Sequence, residues 1–163
     1  MRILDTIINK IHTIESIQSK LVYWRFKNQK IVFSNGCFDI LHRGHVEYLA
    51  QAADFGNRLI IGLNTDASVR RLKGAGRPVQ DEIGRSIVLA SLSFIDAIIL
   101  FDEDTPYNLI KTIKPDFLVK GDDYKPENIV GYDIVTQNGG KVVTIKLVEG
   151  YSTTSVVNRM KTQ

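Results

Sequence analysis

Residues 35–45 read Asn35-Gly36-Cys37-Phe38-Asp39-Ile40-Leu41-His42-Arg43-Gly44-His45, directly after the apolar run Ile31-Val32-Phe33. A short apolar run bounded by a glycine-containing turn has the pattern of a buried strand, and helical spacing sets in from Gly44. The stretch is therefore a strand-loop-helix junction. His42 and His45, two of the chain's three histidines, are spaced so that both rings reach one side of a first helical turn. There they stand beside unpaired backbone N–H groups and the positive end of the helix dipole. That is the outline of a phosphate site. Gly36 and Gly44 let backbone approach a nucleotide closely, and the imidazoles can donate to oxygens that gain charge during phosphoryl transfer. The same residues also admit a structural role, in which His42 caps the helix and His45 fills a polar corner.

Outward from this junction, apolar runs at 31–33, 59–63, 97–100, 117–119 and 142–145 read as buried strands. Between and after them lie helical candidates at 44–55, 66–72, 82–93, 105–113, 131–138 and 153–161. Alternating β and α elements predict an α/β fold, a Rossmann-like parallel sheet with helices on both faces. Ligands of such sheets bind outside the carboxyl ends of the strands, so the functional loops are expected at Ser34–Gly44, Asn64–Pro78 and Lys120–Lys125, with Glu149–Ser155 after the last strand. Residues 3–28 carry Leu4, Ile7, Ile11, Ile14, Ile17 and Leu21 at helical spacing, with Thr13 placed to cap a second short helix. They read as a helical N-terminal extension over 1–29, packed on a domain at 30–163 or on another subunit. No internal repeat or linker marks a further domain.

Composition narrows the function classes. The chain has 163 residues, 44% hydrophobic and 24% charged, which suits one globular domain. No apolar run approaches the roughly 20 residues of a membrane span, and Arg2, Asp5 and Lys10 interrupt the first residues, unlike a secretory signal. The single cysteine, Cys37, excludes an internal disulfide and a CxxC metal framework and fits a reducing compartment; the cytoplasm is the expected location. With 21 Lys and Arg against 18 Asp and Glu, spread along the chain, the balance does not call for nucleic acid but suits phosphorylated small molecules.

A second candidate phosphate segment, Tyr151-Ser152-Thr153-Thr154-Ser155, precedes the last helix. Its hydroxyls and backbone N–H groups suit the β and γ phosphates of a nucleotide, or serve as an ordinary N-cap. Lys73, flanked by Gly74, is a point charge able to reach a substrate phosphate or the transferring α-phosphate. Arg77 and Arg85 are further candidates for that anion. His12 and Cys37 carry no catalytic pattern. Asp102, Glu103, Asp104, Asp122 and Asp123 read equally well as caps and solvated loop charges, so no protein metal site is assigned.

The stretch GCFDILHRGH resembles the HxGH signature of the cytidylyltransferase-like nucleotidyltransferases, and the resemblance runs from about Lys30 to Met160. It implies a triphosphate held by the HxGH loop and the Ser-Thr-Thr segment, with Mg²⁺ carried on the phosphates. Nucleotide contacts are then expected at Asn35, Gly36, Cys37, Phe38, Gly44 and His45, at Lys120, Gly121 and Asp123, and at Ser152, Thr153 and Thr154. His42, His45 and Lys73 become the catalytic candidates, and Lys73, Arg77 and Arg85 the substrate-phosphate candidates.

Leu72–Val79, Asp102–Pro106 and Leu118–Pro126 look like the subgroup of adenylyltransferases acting on heptose 1-phosphate in lipopolysaccharide core synthesis. That subgroup implies ATP and D-glycero-D-manno-heptose 1-phosphate as substrates, a separate sugar kinase to supply the latter, and allows a homo-oligomer. Glycerol-3-phosphate cytidylyltransferases, the alternative, carry an arginine-led RYVDEV where this chain has Ser93-Phe94-Ile95-Asp96-Ala97-Ile98. They also carry an arginine where it has Leu147-Val148-Glu149-Gly150. Gly121-Asp122-Asp123-Tyr124 resembles the cytidylyl pattern instead. From other classes, a nucleotide-sensing module or a scaffold subunit would keep the fold without turnover.

Overall fold

The structure, a computed structural model, describes residues 2–161. The expected strands are β2 (Ile31–Gly36), β3 (Arg58–Asn64), β4 (Ala97–Phe101), β5 (Phe117–Gly121) and β6 (Lys141–Ile145), and a two-residue strand, β1 (Ile11–His12), precedes them. They form one sheet in the order β1-β4-β3-β2-β5-β6, and every neighbouring pair is parallel. The helices are α1 (Ile3–Ile8), α2 (Gln18–Phe26), α3 (Arg43–Ala53), α4 (Asp66–Lys73), α5 (Glu82–Ala90), α6 (Tyr107–Ile113), α7 (Tyr132–Gln137) and α8 (Thr153–Lys161). None among the described residues is long and apolar enough to cross a membrane.

Alternation along the strands builds two cores. In β2, Ile31 and Phe33 face one side with Trp24 of α2, Ile110 of α6 and Val135 of α7. Val32 faces the other, with Leu49 of α3 and Leu89 of α5. Both faces of the central strands are dry because a period of two sends successive side chains to opposite helical layers. The crossover helices start where their caps dictate: Thr65 Oγ1 accepts from Ser68 N–H at 3.1 Å, and Asp81 Oδ1 from Gly84 N–H at 2.6 Å.

The reading of residues 3–28 as wholly helical is corrected here. Ile11 and His12 pair with Ile98 and Ile99 as an edge strand, so His12 lies in the sheet and not in a helix. Thr13 caps only the turn before α2, where its hydroxyl accepts from Ser16 N–H at 3.2 Å. The apolar series that looked like one stripe divides across the sheet. Ile7 and Ile11 pack on one core, while Ile14, Ile17 and Leu21 pack on the other. The segment is a strap that crosses the sheet edge, and Ile17 and Leu21 are fully buried.

Leu21→Ala is therefore expected to destabilise the fold by roughly 2–5 kcal/mol, the range for a buried leucine whose cavity cannot fully collapse. Urea unfolding of the purified protein measures it; a change within about 0.5 kcal/mol, typical of a surface position, would mean that the strap is peripheral.

Candidate active site

The chain leaves β2 toward β3 and β4, then returns to place β5 on the opposite side of β2. Winding reverses between β2 and β5, and the crevice outside their carboxyl ends is where such a sheet opens to a ligand. A cavity of about 320 Å³ lies there, walled by Gly36, Phe38, His42, His45, Leu147 and Tyr151 among others. A second, more polar space of about 620 Å³ adjoins it and adds Asp39, Lys73, Arg77 and Thr154. The two share Gly36, Cys37, Phe38, His45, Lys120, Tyr124, Ser152 and Thr153. The site is thus two lobes meeting at a common wall, one with aromatic and aliphatic sides and one cationic.

His42 is the N-cap of α3, in extended backbone conformation, and its Nδ1 accepts from His45 N–H at 3.4 Å. An accepting Nδ1 leaves the ring proton on Nε2, and that atom is buried with no protein partner. The two imidazoles stack at 3.8 Å with 17° between planes, so a charge on one disfavours a charge on the other. Burial first, and then His42, push the His45 imidazole down to about 4; burial also lowers His42 below its ordinary 6.5. Both rings are neutral hydrogen-bonding groups at neutral pH. Among the described residues six buried side-chain polar atoms lack a hydrogen-bond partner, and five belong to the lobes: Asn35, Asp39, His42, His45 and Arg77. Asp39 Oδ2 and Arg77 Nε face each other as an ion pair; since buried polar groups are normally satisfied within the protein, the remaining three, on Asn35, His42 and His45, mark where a polar ligand completes the structure.

Close packing fixes the loop. A Cβ on Gly44 would lie 3.0 Å from Tyr151 Cβ and 3.2 Å from the His42 ring; glycine there lets the α8 approach press on the HxGH turn. Phe38 holds a left-handed φ of 42°, uncommon for a bulky residue, and its ring sits edge-on to His45 at 5.3 Å. Tyr48, one turn beyond His45, bonds Ser34 Oγ at 2.8 Å and the Val119 carbonyl at 3.0 Å. It thereby ties β2 to β5 under the site.

The basic residues have divergent fates. Lys73 ends α4 beside the cationic lobe. Arg77 Nε lies 2.7 Å from Asp39 Oδ2, an ion pair whose approach is off the axis of a true hydrogen bond. Asp39 Oδ1 meanwhile accepts from the N–H groups of Val79 and Gln80 at 2.8 and 3.0 Å, so the 73–80 loop is moored to the HxGH loop.

Arg85, expected at a substrate phosphate, is 1% exposed and lines neither lobe. Its guanidinium donates to the carbonyls of Cys37 at 2.7 Å, Asn64 at 2.8 Å and Gln80 at 3.1 Å, and to the Asp66 carboxylate at 2.7 Å. Its donors are spent on protein acceptors, and it shapes the loops from beneath. Cys37 faces both lobes; burial raises its thiol pKa more than Lys73 and Arg85 lower it, so it meets a ligand uncharged.

At the end of β5, Lys120 and Gly121, and just beyond it Asp123, border the first lobe. Asp122 turns away, and its Oδ1 accepts from Leu147 N–H at 3.3 Å. At the α8 N-terminus Ser152 Oγ accepts from Ser155 N–H at 3.0 Å, so Ser152 is a cap as well as a wall. Sequence reading passed over Asp39, Tyr48, Leu72, Tyr124, Leu147, Val148 and Tyr151 as wall residues. Their signals were adjacency to the motifs and, for Tyr48, the three-residue step from His45.

The comparison of Ser93–Ile98 with RYVDEV concerned the wrong end of the sheet. Asp96 anchors the start of β4 by pairing with Arg58 at 2.6 Å, remote from the lobes. Leu147 and Val148, by contrast, do line the first lobe.

The family model described as cytidylyltransferase-like matches residues 33–159. The chain belongs to the cytidylyltransferase-like family. It is thereby a nucleotidyltransferase. The bifunctional protein HldE of Caulobacter sp. (strain K31) is 54% identical over 156 residues, 96% of this chain and 32% of that protein. The bifunctional protein HldE of Syntrophotalea carbinolica is 51% identical over 152 residues, 93% of this chain and 31% of that protein. The chain thus spans about a third of the length of these relatives. Among solved structures, the lipopolysaccharide core biosynthesis protein from Thermoplasma volcanium superposes with a TM-score of 0.59 at 26% identity, covering 76% of this chain and 99% of that one. A pantoate-beta-alanine ligase from Francisella tularensis, at 14% identity and a TM-score of 0.56 over 93% of this chain and 76% of that one, shares the fold.

For this family member, Arg85→Met is expected to cost roughly 3–5 kcal/mol of folding stability, because it strands the Asp66 carboxylate and three carbonyls. Chemical denaturation measures this. An unchanged midpoint with weakened substrate binding would restore Arg85 as a phosphate ligand.

Proposed function

We propose that this chain transfers the adenylyl group of ATP to D-glycero-D-manno-heptose 1-phosphate, giving ADP-heptose and pyrophosphate for lipopolysaccharide core synthesis. The observation that carries the reading is the two-lobed cleft at the strand reversal. Its apolar side offers Leu147, Val148 and Tyr151 to a nucleoside, its cationic side offers Lys73 and Arg77 to an anionic acceptor, and His45 lines the wall between them with His42 stacked on it from the first lobe. The names of the relatives support the heptose branch of the family, and a sugar kinase upstream belongs with it.

In this mechanism an acceptor phosphate oxygen attacks the α-phosphorus of ATP. The bond from α-phosphorus to the bridging oxygen breaks, its electron pair stays on that oxygen, and pyrophosphate departs. The acceptor is already an anion near neutral pH, so no general base is required and catalysis rests on alignment and charge stabilisation. His42 donates through Nε2–H to oxygens of the α-phosphate, and His45 donates beside it from the same turn. Lys73 neutralises charge on the equatorial oxygens, and Ser152, Thr153 and Thr154 with the α8 N–H groups hold the leaving pyrophosphate. Neutral imidazoles serve this role because they donate without requiring a proton from solvent. The substrate form is MgATP, in which the ion takes its oxygens from the phosphates. Among the described residues no group of three His, Cys, Asp or Glu is arranged to hold a metal ion.

Two outcomes test the reading. Pyrophosphate release with MgATP and the heptose 1-phosphate should exceed that with CTP and glycerol 3-phosphate by more than tenfold in kcat/KM, since a site that bonds one base leaves polar groups unpaired against another. A preference for CTP and glycerol 3-phosphate would move the chain to the cytidylyl branch; no turnover with any pair would make it a binding module. His42→Ala and His45→Ala should each lower kcat by roughly 10²–10³, the loss typical of a transition-state donor. Near-normal turnover of both folded variants would refute their roles.

A further inference from the structure

Among the described residues, one Lys or Arg side chain borders the apolar lobe, and it is Lys120. The same side chain borders the cationic lobe and a third space of about 200 Å³ with Asp104, Thr105 and Asn128. An in-line transfer must place its reacting phosphorus where the nucleotide lobe meets the acceptor lobe, which is the wall that Lys120 occupies. We propose that Lys120 is a catalytic cation of the transfer, contacting the α-phosphate from the end of β5, with its positive charge required for turnover. The proposal rests on the nucleotidyl-transfer reading above.

Three features of Lys120 support this. Its backbone belongs to β5, paired with Thr144 of β6, so the side chain is delivered by the sheet, whereas Lys73 sits at a helix end against Gly74. Its Nζ donates to the Asn35 carbonyl at 3.1 Å, leaving two of an ammonium's three donors to spend. Among the described residues it forms no ion pair, so a phosphate would supply the counter-charge that a buried ammonium needs.

The charged surroundings set when that ammonium is present. Asp123 and Tyr124 face the site from the loop after β5, Cys37 and Asp39 from the loop after β2, and His45 from α3. Lys73 and Arg77 approach from α4 and the loop beyond it. Asp104, from the loop before α6, is engaged by Arg71 at 3.1 Å. Asp39 is engaged by Arg77, and His45 is neutral. Asp123 therefore supplies the main local negative charge, and it offsets only part of the burial cost. Burial pushes the Lys120 ammonium down to about 8, against Asp123 and Cys37, which raise it. The free enzyme loses this charge as pH rises through about 8.

The experiment is the pH dependence of pyrophosphate release by the full chain with MgATP and heptose 1-phosphate, for the wild type, Lys120→Met and Lys120→Arg. Each variant is checked by thermal unfolding and by titration with a non-hydrolysable ATP analogue. Wild-type kcat/KM should fall above pH about 8. Lys120→Met should lose roughly 10²-fold or more in kcat while retaining its fold and losing distinctly less in analogue affinity than in kcat, a split that a merely structural lysine would not produce. Lys120→Arg, whose charge persists, should keep measurable turnover, with its alkaline fall displaced beyond about pH 10. Lys120→Met within threefold of wild-type kcat, or an alkaline fall unmoved in Lys120→Arg, would overturn the proposal. Wild type inactive with every substrate pair would instead refute the transfer reading, and this proposal with it.

Discussion

A guanidinium taken out of water must find acceptors, and the buried Arg85 finds them in the loops that form the floor of the cleft. It bonds the carbonyl of Cys37 after β2, that of Asn64 at the end of β3, that of Gln80 before α5, and the carboxylate of Asp66 at the start of α4. Three segments, the loop after β2, the β3–α4 junction and the turn before α5, are thereby held at one point. Moving any of them away would leave a buried charge or carbonyl unpaired, a penalty on the order of 1–3 kcal/mol for each neutral group. Asp39 extends the tie upward by gripping Val79, Gln80 and Arg77. The HxGH loop and the 73–80 loop are consequently one body, which is what a reaction governed by alignment requires.

On that floor the cleft divides its chemistry by polarity. Leu147 and Val148 give the first lobe an apolar edge, braced by the Asp122 contact to Leu147 N–H. Lys73 and Arg77 give the second lobe its positive charge. His42 links local structure to chemistry. As N-cap its Nδ1 is committed to the helix, and this commitment leaves Nε2–H for a ligand. Burial keeps both rings neutral, and at His45 the neighbouring His42 adds to it. Dipoles held in place by the fold stabilise developing charge without having to reorganise.

The N-terminal strap shows how far periodicity reaches. Ile7, Ile11, Ile14, Ile17 and Leu21 fit a helical spacing, yet the chain straightens at Ile11–His12 because the edge of β4 offers backbone partners, Ile98 N–H donating to the Lys10 carbonyl at 2.8 Å. A two-residue strand carries no pattern of its own; only the sheet edge calls it into existence. The same limit applies to Ser93–Ile98. An alignment of letters could not reveal that this segment opens β4 at the end of the sheet away from the cleft, so its lack of an arginine says nothing about the base.

By itself the sequence determined the α/β alternation, five of the strands, the six helices after β2 and the two turns around His42–His45 and Ser152–Thr154 that line the cleft. Those features are local: apolar runs, caps and glycines act within a few residues of themselves. Tertiary structure alone decided which basic residues meet the cleft. Lys73, Arg77, Arg85 and Lys120 are equivalent as letters. Arg85 is consumed by four protein acceptors, Arg77 is shared with Asp39, and Lys120 is carried by the strand reversal into the wall between the lobes. Burial and partnering are properties of distant segments brought together, and no spacing within one segment encodes them.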